Sequence, residues 1–324
     1  MNSITRLALA LVALFSASTA FAQSYPDKPV RVVVGFNAGG PTDAIARIVA
    51  DKLSASLGKQ FYVVNQPGAG GNIASGMVAT APGDGYTLIA ISTGFVINPS
   101  LFAKVPYDPV KDFAPITIVA VSPNVISVNP SVPAKNIKEL IELIKANPGK
   151  YSFASPGAGS TPHLSGEIFR VTYGLDLPTV QFTGAGPSIQ STVGGHTPVA
   201  FSALPSAAAQ IKDGLLRALA VTAEKRSASL PDVPTMAESG YPGQEAYTMT
   251  GLLAPAATPK EIVALLHREI VKIVALPDVK QRLDDLGFEV LTNTPDEAAA
   301  RIKTEMEKWG KVIRDAKLKV EGAQ

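Results

Sequence analysis

The residues that could do chemistry in this 324-residue sequence gather in glycine-rich loops. Three stand out: Phe36-Asn37-Ala38-Gly39-Gly40, Pro67-Gly68-Ala69-Gly70-Gly71-Asn72 and Ser155-Pro156-Gly157-Ala158-Gly159-Ser160-Thr161. Thr183-Gly184-Ala185-Gly186 is similar. Each falls between a strand-like run and a helix start. Glycine lets the backbone approach a ligand closely. The first N–H groups of a helix lack an intrahelical partner, and the helix dipole places positive charge there. The hydroxyls of Thr42, Ser160, Thr161 and Thr183 add donors, while the loops hold no Arg or Lys. The chemistry implied is capture of an anion by amides, hydroxyls and ordered water, without a salt bridge.

Other chemistries find less support. The first loop lacks both G-x-x-x-x-G-K-[ST] and G-x-G-x-x-G, and Ile73 breaks the dinucleotide pattern after Gly68-x-Gly70. His163, His196 and His267 stand far apart without H-E-x-x-H spacing, so no metal site is expected. Ser160 and His163 could pair as nucleophile and base, but no G-x-S-x-G elbow exposes the serine. His163 reads better as a helix-start residue that orders its loop. Asp43 could be a general base; its place in a first helical turn favours a structural cap. His267, beside Arg268 and Glu269, reads as a surface residue, and Trp309 as packing.

The elements that position these loops alternate. Val30 to Val34 is a β-branched run of the kind a buried strand shows. Pro41 suits a first helical position, and Gly58 a helix stop. Ile45, Ile48, Val49 and Leu53 recur at helical spacing between them. Strands are then expected at 61–64, 87–91, 151–154, 180–182, 199–202 and 216–222. Helices are expected at 73–80, 137–146, 162–171 and from Pro187. Thr294-Pro295-Asp296-Glu297 carries a capping-box pattern, and the C-terminal third is mainly helical. Alternating β and α with short loops predicts sheets with parallel strands covered by helices. The length favours two such sheets over one. Ligands of such folds bind beyond the carboxyl ends of the strands, where these loops should lie.

Composition bounds the setting. Arg6, the apolar run Leu7 to Phe15 and Ala20-Phe21-Ala22 form the pattern of a secretory leader, expected at residues 1–22. The apolar run is too short for a membrane span, which needs about 20 residues. The sequence has no cysteine, so disulfides, thiol chemistry and a lipid-anchored Cys are excluded. A formal net charge of +2 gives no reason to expect nucleic acid as a partner.

The loops carry a resemblance. Gly35 to Arg47 resembles the first signature of the tripartite tricarboxylate transporter receptor family, the Bug-type solute-binding proteins. Asn65 to Ala74, Pro82-Gly83-Asp84-Gly85-Tyr86-Thr87-Leu88, and Ser155 to Leu164 resemble its further signatures. Thr183 to Pro187, Arg217 to Thr222 and Leu230 to Thr235 continue in order. The series spans nearly the whole chain beyond the leader. Departures are Gly35 where Pro is frequent, and Met249 where Trp is common before Gly251.

The resemblance implies an α/β, two-lobed periplasmic binding protein of the type II flytrap kind, each lobe a mainly parallel sheet flanked by helices. Lobe I would comprise 23–123 and 249–324, and lobe II 124–248. Chain crossings are expected near Val121 to Val125 and Tyr247 to Leu252. It implies capture of a small organic acid, a mono- or dicarboxylate or an aromatic acid, for delivery to membrane permease subunits. No cofactor, metal or catalysis is implied, and a monomer is expected. Carried over by motif, lobe I would contact the ligand through Phe36, Ala38, Gly39, Thr42, Asp43, Ala69, Gly70 and Ser92. Lobe II would offer Ser155, Gly159, Ser160, Thr161, His163, Thr183, Gly184 and Ser202. The alternatives are a sensor that presents its ligand to a membrane signalling protein, and a Ser/His hydrolase built on Ser160 and His163.

Overall fold

The computed structural model describes residues 25–318, so the leader expected at residues 1–22 lies outside the described residues. In chain order, the first half comprises β1 (Val30–Val34), α1 (Pro41–Leu57), β2 (Phe61–Asn65), α2 (Asn72–Ala79), β3 (Thr87–Ser92), α3 (Gly94–Leu101) and β4 (Phe113–Val128). Then follow α4 (Ile137–Ala146), β5 (Phe153–Ser155), α5 (Thr161–Thr172), β6 (Thr179–Gln181), α6 (Ala185–Val193), β7 (Val199–Ala203), α7 (Leu204–Lys212) and β8 (Arg217–Val221). The chain ends with β9 (Tyr247–Pro255), α8 (Lys260–Val274), α9 (Pro277–Asp285), β10 (Glu289–Val290) and α10 (Pro295–Asp315).

Two sheets share one long strand. The first runs β2-β1-β3-β9-β4-β10, and the second β8-β4-β7-β5-β6. The helix-linked strands run parallel, as their alternation predicts: β1 with β2 and β3, and β5 with β6 and β7. The other pairings are antiparallel, so each sheet is mixed. β4 makes the difference. Its residues up to Pro123 pair with β9 in the first sheet, and those from Asn124 pair with β7 and β8 in the second. Pro123 has no N–H to offer a ladder, which suits the point where pairing changes sheets.

Period-two alternation sorts side chains to the two faces of each sheet. In β1, Val30, Val32 and Val34 join a core with Ile45, Val49 and Leu53 of α1 and Leu266 and Ile270 of α8. Val33 points the other way, into a core with Val96 and Ile97 of α3 and Ile302 and Trp309 of α10. In the second sheet Ile126 packs with Leu140, Phe153, Phe169 and Phe201, while Val125 packs with Ile189, Leu204 and Ala207. Each sheet therefore lies between helices. Trp309 is 2% exposed and donates its indole N–H to Glu305, a packing role as its spacing implies. His267 departs from the surface reading: it is half-buried, with Nε2 3.2 Å from the Asn293 carbonyl. The turn carrying Asn293 folds back over α8, which the local charge pattern does not reveal.

The crossing points are tied together. Asn124 is fully buried; its backbone N–H donates to Thr222 Oγ1 at 3.0 Å, and its Nδ2 donates to Ser165 Oγ at 2.8 Å. Thr248 donates its hydroxyl to Asn124 Oδ1 at 3.2 Å, and Thr222 donates to the Ala246 carbonyl at 2.6 Å. The shared strand β4 and the segment that leads into β9 thus meet in one buried polar knot.

Candidate ligand-binding site

The helix starts converge on a crevice between the sheets. It encloses about 500 Å³ of space, counting its open mouth. Phe36, Asn37, Gly40, Pro41, Thr42, Asp43 and Ser92 line it from the first sheet's side. Pro156, Ser160, Thr161, Pro162, Ala185, Ala203 and Ser206 line it from the second, and Thr248 lies near the start of β9, paired with Ser122 of β4. Gly40 to Asp43, Ser160 to Pro162, Ala185, and Ala203 with Ser206 stand at the starts of α1, α5, α6 and α7.

Sequence explains why these helices start where they do. Gly40 is extended at the N-cap of α1, and Pro41 fixes the first helical position without losing a needed N–H. Ser160 caps α5: it accepts from the His163 amide and donates to the Gly157 carbonyl at 2.7 Å. Gly184 caps α6 at φ +156°, where a Cβ would stand 3.2 Å from Asn37 Cβ. Ala203 caps α7. Gly40, Gly184 and Ala203 supply no side-chain cap, so the first-turn amides behind them keep their donors for another acceptor.

The electrostatics favour an anion without a basic residue. Among the described residues lining the crevice, Asp43 is the one charged side chain. It is 3% exposed and fully engaged. Gly39 N–H and Arg47 Nε–H donate to Oδ2, and Arg47 Nη2–H and Asn65 Nδ2–H donate to Oδ1, at 2.8–3.0 Å. Burial pushes the Asp43 carboxyl up, but the guanidinium of Arg47, the Gly39 amide and Asn65 outweigh it and leave it below its ordinary value. Asp43 is therefore ionised at neutral pH, and its lone pairs are used.

The second sheet contributes hydroxyls in need of partners. Thr161 Oγ1 and Ser206 Oγ line the crevice, are buried, and have no hydrogen-bond partner within the protein. Ser155, Ser188 and Ser202 nearby in the same lobe share that state. A buried hydroxyl left unpaired costs about 1–3 kcal/mol, so Thr161 and Ser206, which line the crevice, are candidate contacts for polar ligand atoms or water.

Not every residue carried over by motif reaches the crevice. Phe36, Thr42, Asp43, Ser92, Ser160 and Thr161 line it. Gly70 lines a smaller chamber that adjoins it through Phe36 and Ser92. Ala38 and Gly39 are exposed, and Gly39 acts through its bond to Asp43. Ala69 opens a single 3₁₀ turn, Ala69–Gly71, at φ +46°. Ser155 and Ser202 lie buried at the ends of β5 and β7, outside the lining. Gly159 meets Asn98 instead: a Cβ there would stand 2.1 Å from Asn98 Oδ1. Thr183 accepts at its carbonyl from Asn37 Nδ2, a bond from one lobe to the other. His163 is 7% exposed, its Nε2 is 3.4 Å from Gln181 Nε2, and it is not among the lining residues. Burial, only partly offset by Glu167, holds its imidazole below the ordinary histidine value, so it is neutral at pH 7.

Asn37, Gly40, Pro41, Pro156, Pro162, Ala185, Ala203, Ser206 and Thr248 line the crevice without having been expected to. Asn37 stands inside a recognisable loop. The α7 junction, Ala203-Leu204-Pro205-Ser206, has no glycine, and its signal is the proline after a buried strand.

Two mixed sheets joined through one shared strand, with helix starts facing a shared cleft, define the architecture of a periplasmic binding protein. Comparisons agree. The structure of periplasmic binding protein BugD is 37% identical with TM-score 0.87, over 91% of this chain and 100% of that one. Rpa4515 of R. palustris, solved with adipate, is 32% identical with TM-score 0.88, over 91% and 100%. MatC of Rhodopseudomonas palustris, solved with malate, is 32% identical with TM-score 0.85, over 89% and 100%. The sequence profile of the tripartite tricarboxylate transporter family receptor matches residues 45–318. The chain belongs to that receptor family.

Proposed function

We propose that this protein is a periplasmic receptor that closes on one small organic acid and delivers it to a tripartite tricarboxylate-type permease. The observation that carries the reading is the convergence of four helix starts on one crevice whose lining, among the described residues, holds no basic side chain. A carboxylate placed there meets unpaired amides and hydroxyls with the dipoles aligned in its favour. The lobes are assigned to 23–123 with 249–324, and to 124–248, with the hinge at the Asn124 knot. A ligand touching both lobes favours the closed state by its differential affinity. Adipate in Rpa4515 and malate in MatC support a dicarboxylate as the first class to test.

Binding without chemical conversion fits the site. The Ser160 hydroxyl is spent on Gly157 and the His163 amide, and the His163 ring faces Gln181. A serine so engaged is no activated nucleophile. Export is proposed from the leader pattern, and among the described residues no helix is long and apolar enough to cross a membrane.

The test is a thermal-shift screen of mono-, di- and tricarboxylates and aromatic acids, with adipate and malate included. The acid that binds should stabilise the fold by about 2.7 kcal/mol at a hundred times its Kd. Its methyl ester should lose most of the shift. A protein stabilised by none of the acids, or better by a neutral molecule, overturns the reading.

A further inference from the structure

A carboxylate side chain lining a pocket for carboxylates poses an electrostatic problem. Asp43 does so from the first turn of α1, ionised and almost wholly buried. Left alone, it would repel the ligand: unit charges several ångströms apart interact by about 1–4 kcal/mol at the effective dielectric of a protein surface. The structure holds the counter-charge one layer back. Arg47 stands one turn along α1 and grips both Asp43 oxygens at 3.0 Å. Its Nη2 also donates to Asn65 Oδ1 at 2.9 Å, and its side chain is about half exposed, outside the crevice. Asn65 in turn donates from Nδ2 to the Phe36 carbonyl at 2.9 Å and to Asp43. The guanidinium, the amide and the carboxylate therefore form one rigid unit beneath the loop from Phe36 to Gly40.

We infer that Arg47 is a positioning and charge-compensating residue of the binding site: it neutralises Asp43 from behind, and through Asp43 and Asn65 it fixes the loop whose amides face the ligand. This inference rests on the carboxylate-receptor reading above. An ordinary helix pair at i,i+4 spacing contributes only about 0.2–0.5 kcal/mol and has no bearing on ligand charge. Asp43 differs because it is buried and opens onto the ligand space.

Among the described residues, few other charged groups stand near Asp43. On α1, Asp51 acts on Arg47 from the far side. From β2 comes the uncharged Asn65, and from the second lobe the facing lining residues Pro156, Ser160, Thr161, Ala185 and Ser206 carry no charge. His163, in the first turn of α5, is held below its ordinary value by burial and is common to every variant below.

The experiment is calorimetry on the full secreted chain with adipate and malate, and with the diamide of whichever binds. Wild type is compared with Arg47→Lys, Arg47→Met and Asp43→Asn/Arg47→Met from pH 5 to 8. Melting curves confirm that each variant is folded. At pH 7, Arg47→Met should bind the acid at least about tenfold more weakly, a loss that like-charge repulsion readily exceeds. The diamide should be nearly unaffected. Arg47→Lys, which keeps the charge but not the two-pronged grip, should lie between.

The pH profile separates charge from shape. Without Arg47, burial raises the Asp43 carboxyl, which regains its proton as pH falls and stops repelling the acid. The gap between Arg47→Met and the double variant should therefore close toward pH 5. Equal affinities of wild type and Arg47→Met overturn the inference while leaving the receptor reading intact. So does a loss that is equal for acid and diamide and flat with pH. A folded wild type that no carboxylate binds overturns both.

Discussion

Replacing Gly94 by Leu should hold the lobes apart and weaken ligand binding by roughly a hundredfold or more, without unfolding either lobe. Gly94 is the first residue of α3, and its φ lies outside the left-handed range, so a side chain costs no backbone strain there. The cost is across the cleft. A Cβ at Gly94 would stand 3.0 Å from the Gly159 carbonyl of the opposite lobe, against 3.3 Å to Gly70 O within its own. A Cβ at Gly70 would stand 2.6 Å from the Ala158 carbonyl, so the two lobes approach backbone to backbone. Ala at 94 asks for a few tenths of an ångström; Leu asks for ångströms, which only an open hinge supplies. The ligand's contacts with a single lobe remain, but the closed population falls, and apparent affinity falls with it. Small-angle scattering with saturating acid should show wild type compact and the Leu variant as open as the free protein. Melting of the free protein should change little. Wild-type affinity in Gly94→Leu contradicts the closure geometry.

Asn124→Ala should cost about 2–4 kcal/mol of unfolding free energy, read as a lowered denaturant midpoint. The amide donates to Ser165 and accepts from Thr248, both buried with it, so its removal strands two hydroxyls in the interior. The site feels the same change, because Thr248 lines the crevice and leans on Asn124 for its orientation. The variant should thus lose affinity as well as stability, whereas a purely structural defect elsewhere in the core should lower stability alone. A loss below about 0.5 kcal/mol, the range of unremarkable surface substitutions, contradicts the role assigned to the knot.

Local signals that satisfy backbone groups were the most legible in the sequence. The helix expected at 137–146 forms as α4 and ends at Ala146 before Asn147-Pro148-Gly149. Thr294 and Glu297 form both bonds of their capping box. Gly58 stops α1 in the left-handed conformation, its N–H on the Ser54 carbonyl. Elements whose reasons are tertiary were not legible. β4 carries Pro115 and Pro123, residues that argue against an interior strand, and it survives because its pairing shifts register near the first and changes sheets at the second. α3 is apolar and rich in β-branched residues with Pro99 inside, a pattern with no amphipathic stripe. It is helical because α10, α2 and the sheet surround it. At the site, glycine made the loops visible and hid what lacked glycine: Ser206 and Thr248 reach the crevice from a Leu-Pro junction and from a strand interior. Arg47 showed only as the end of a motif, since nothing in one sequence says that its partner is buried.

In the proposed receptor, main-chain amides at helix starts, not cationic side chains, hold the carboxylate. Amide-resolved NMR of the ¹⁵N-labelled protein, titrated with the acid found in the screen and with its methyl ester, reads those amides one by one. The first-turn amides of α1, α5, α6 and α7, Thr42, Thr161, Ala185 and Ser206 among them, should move downfield with the acid and stay nearly still with the ester. Shifts that leave these amides in place, or that are the same for acid and ester, would contradict it.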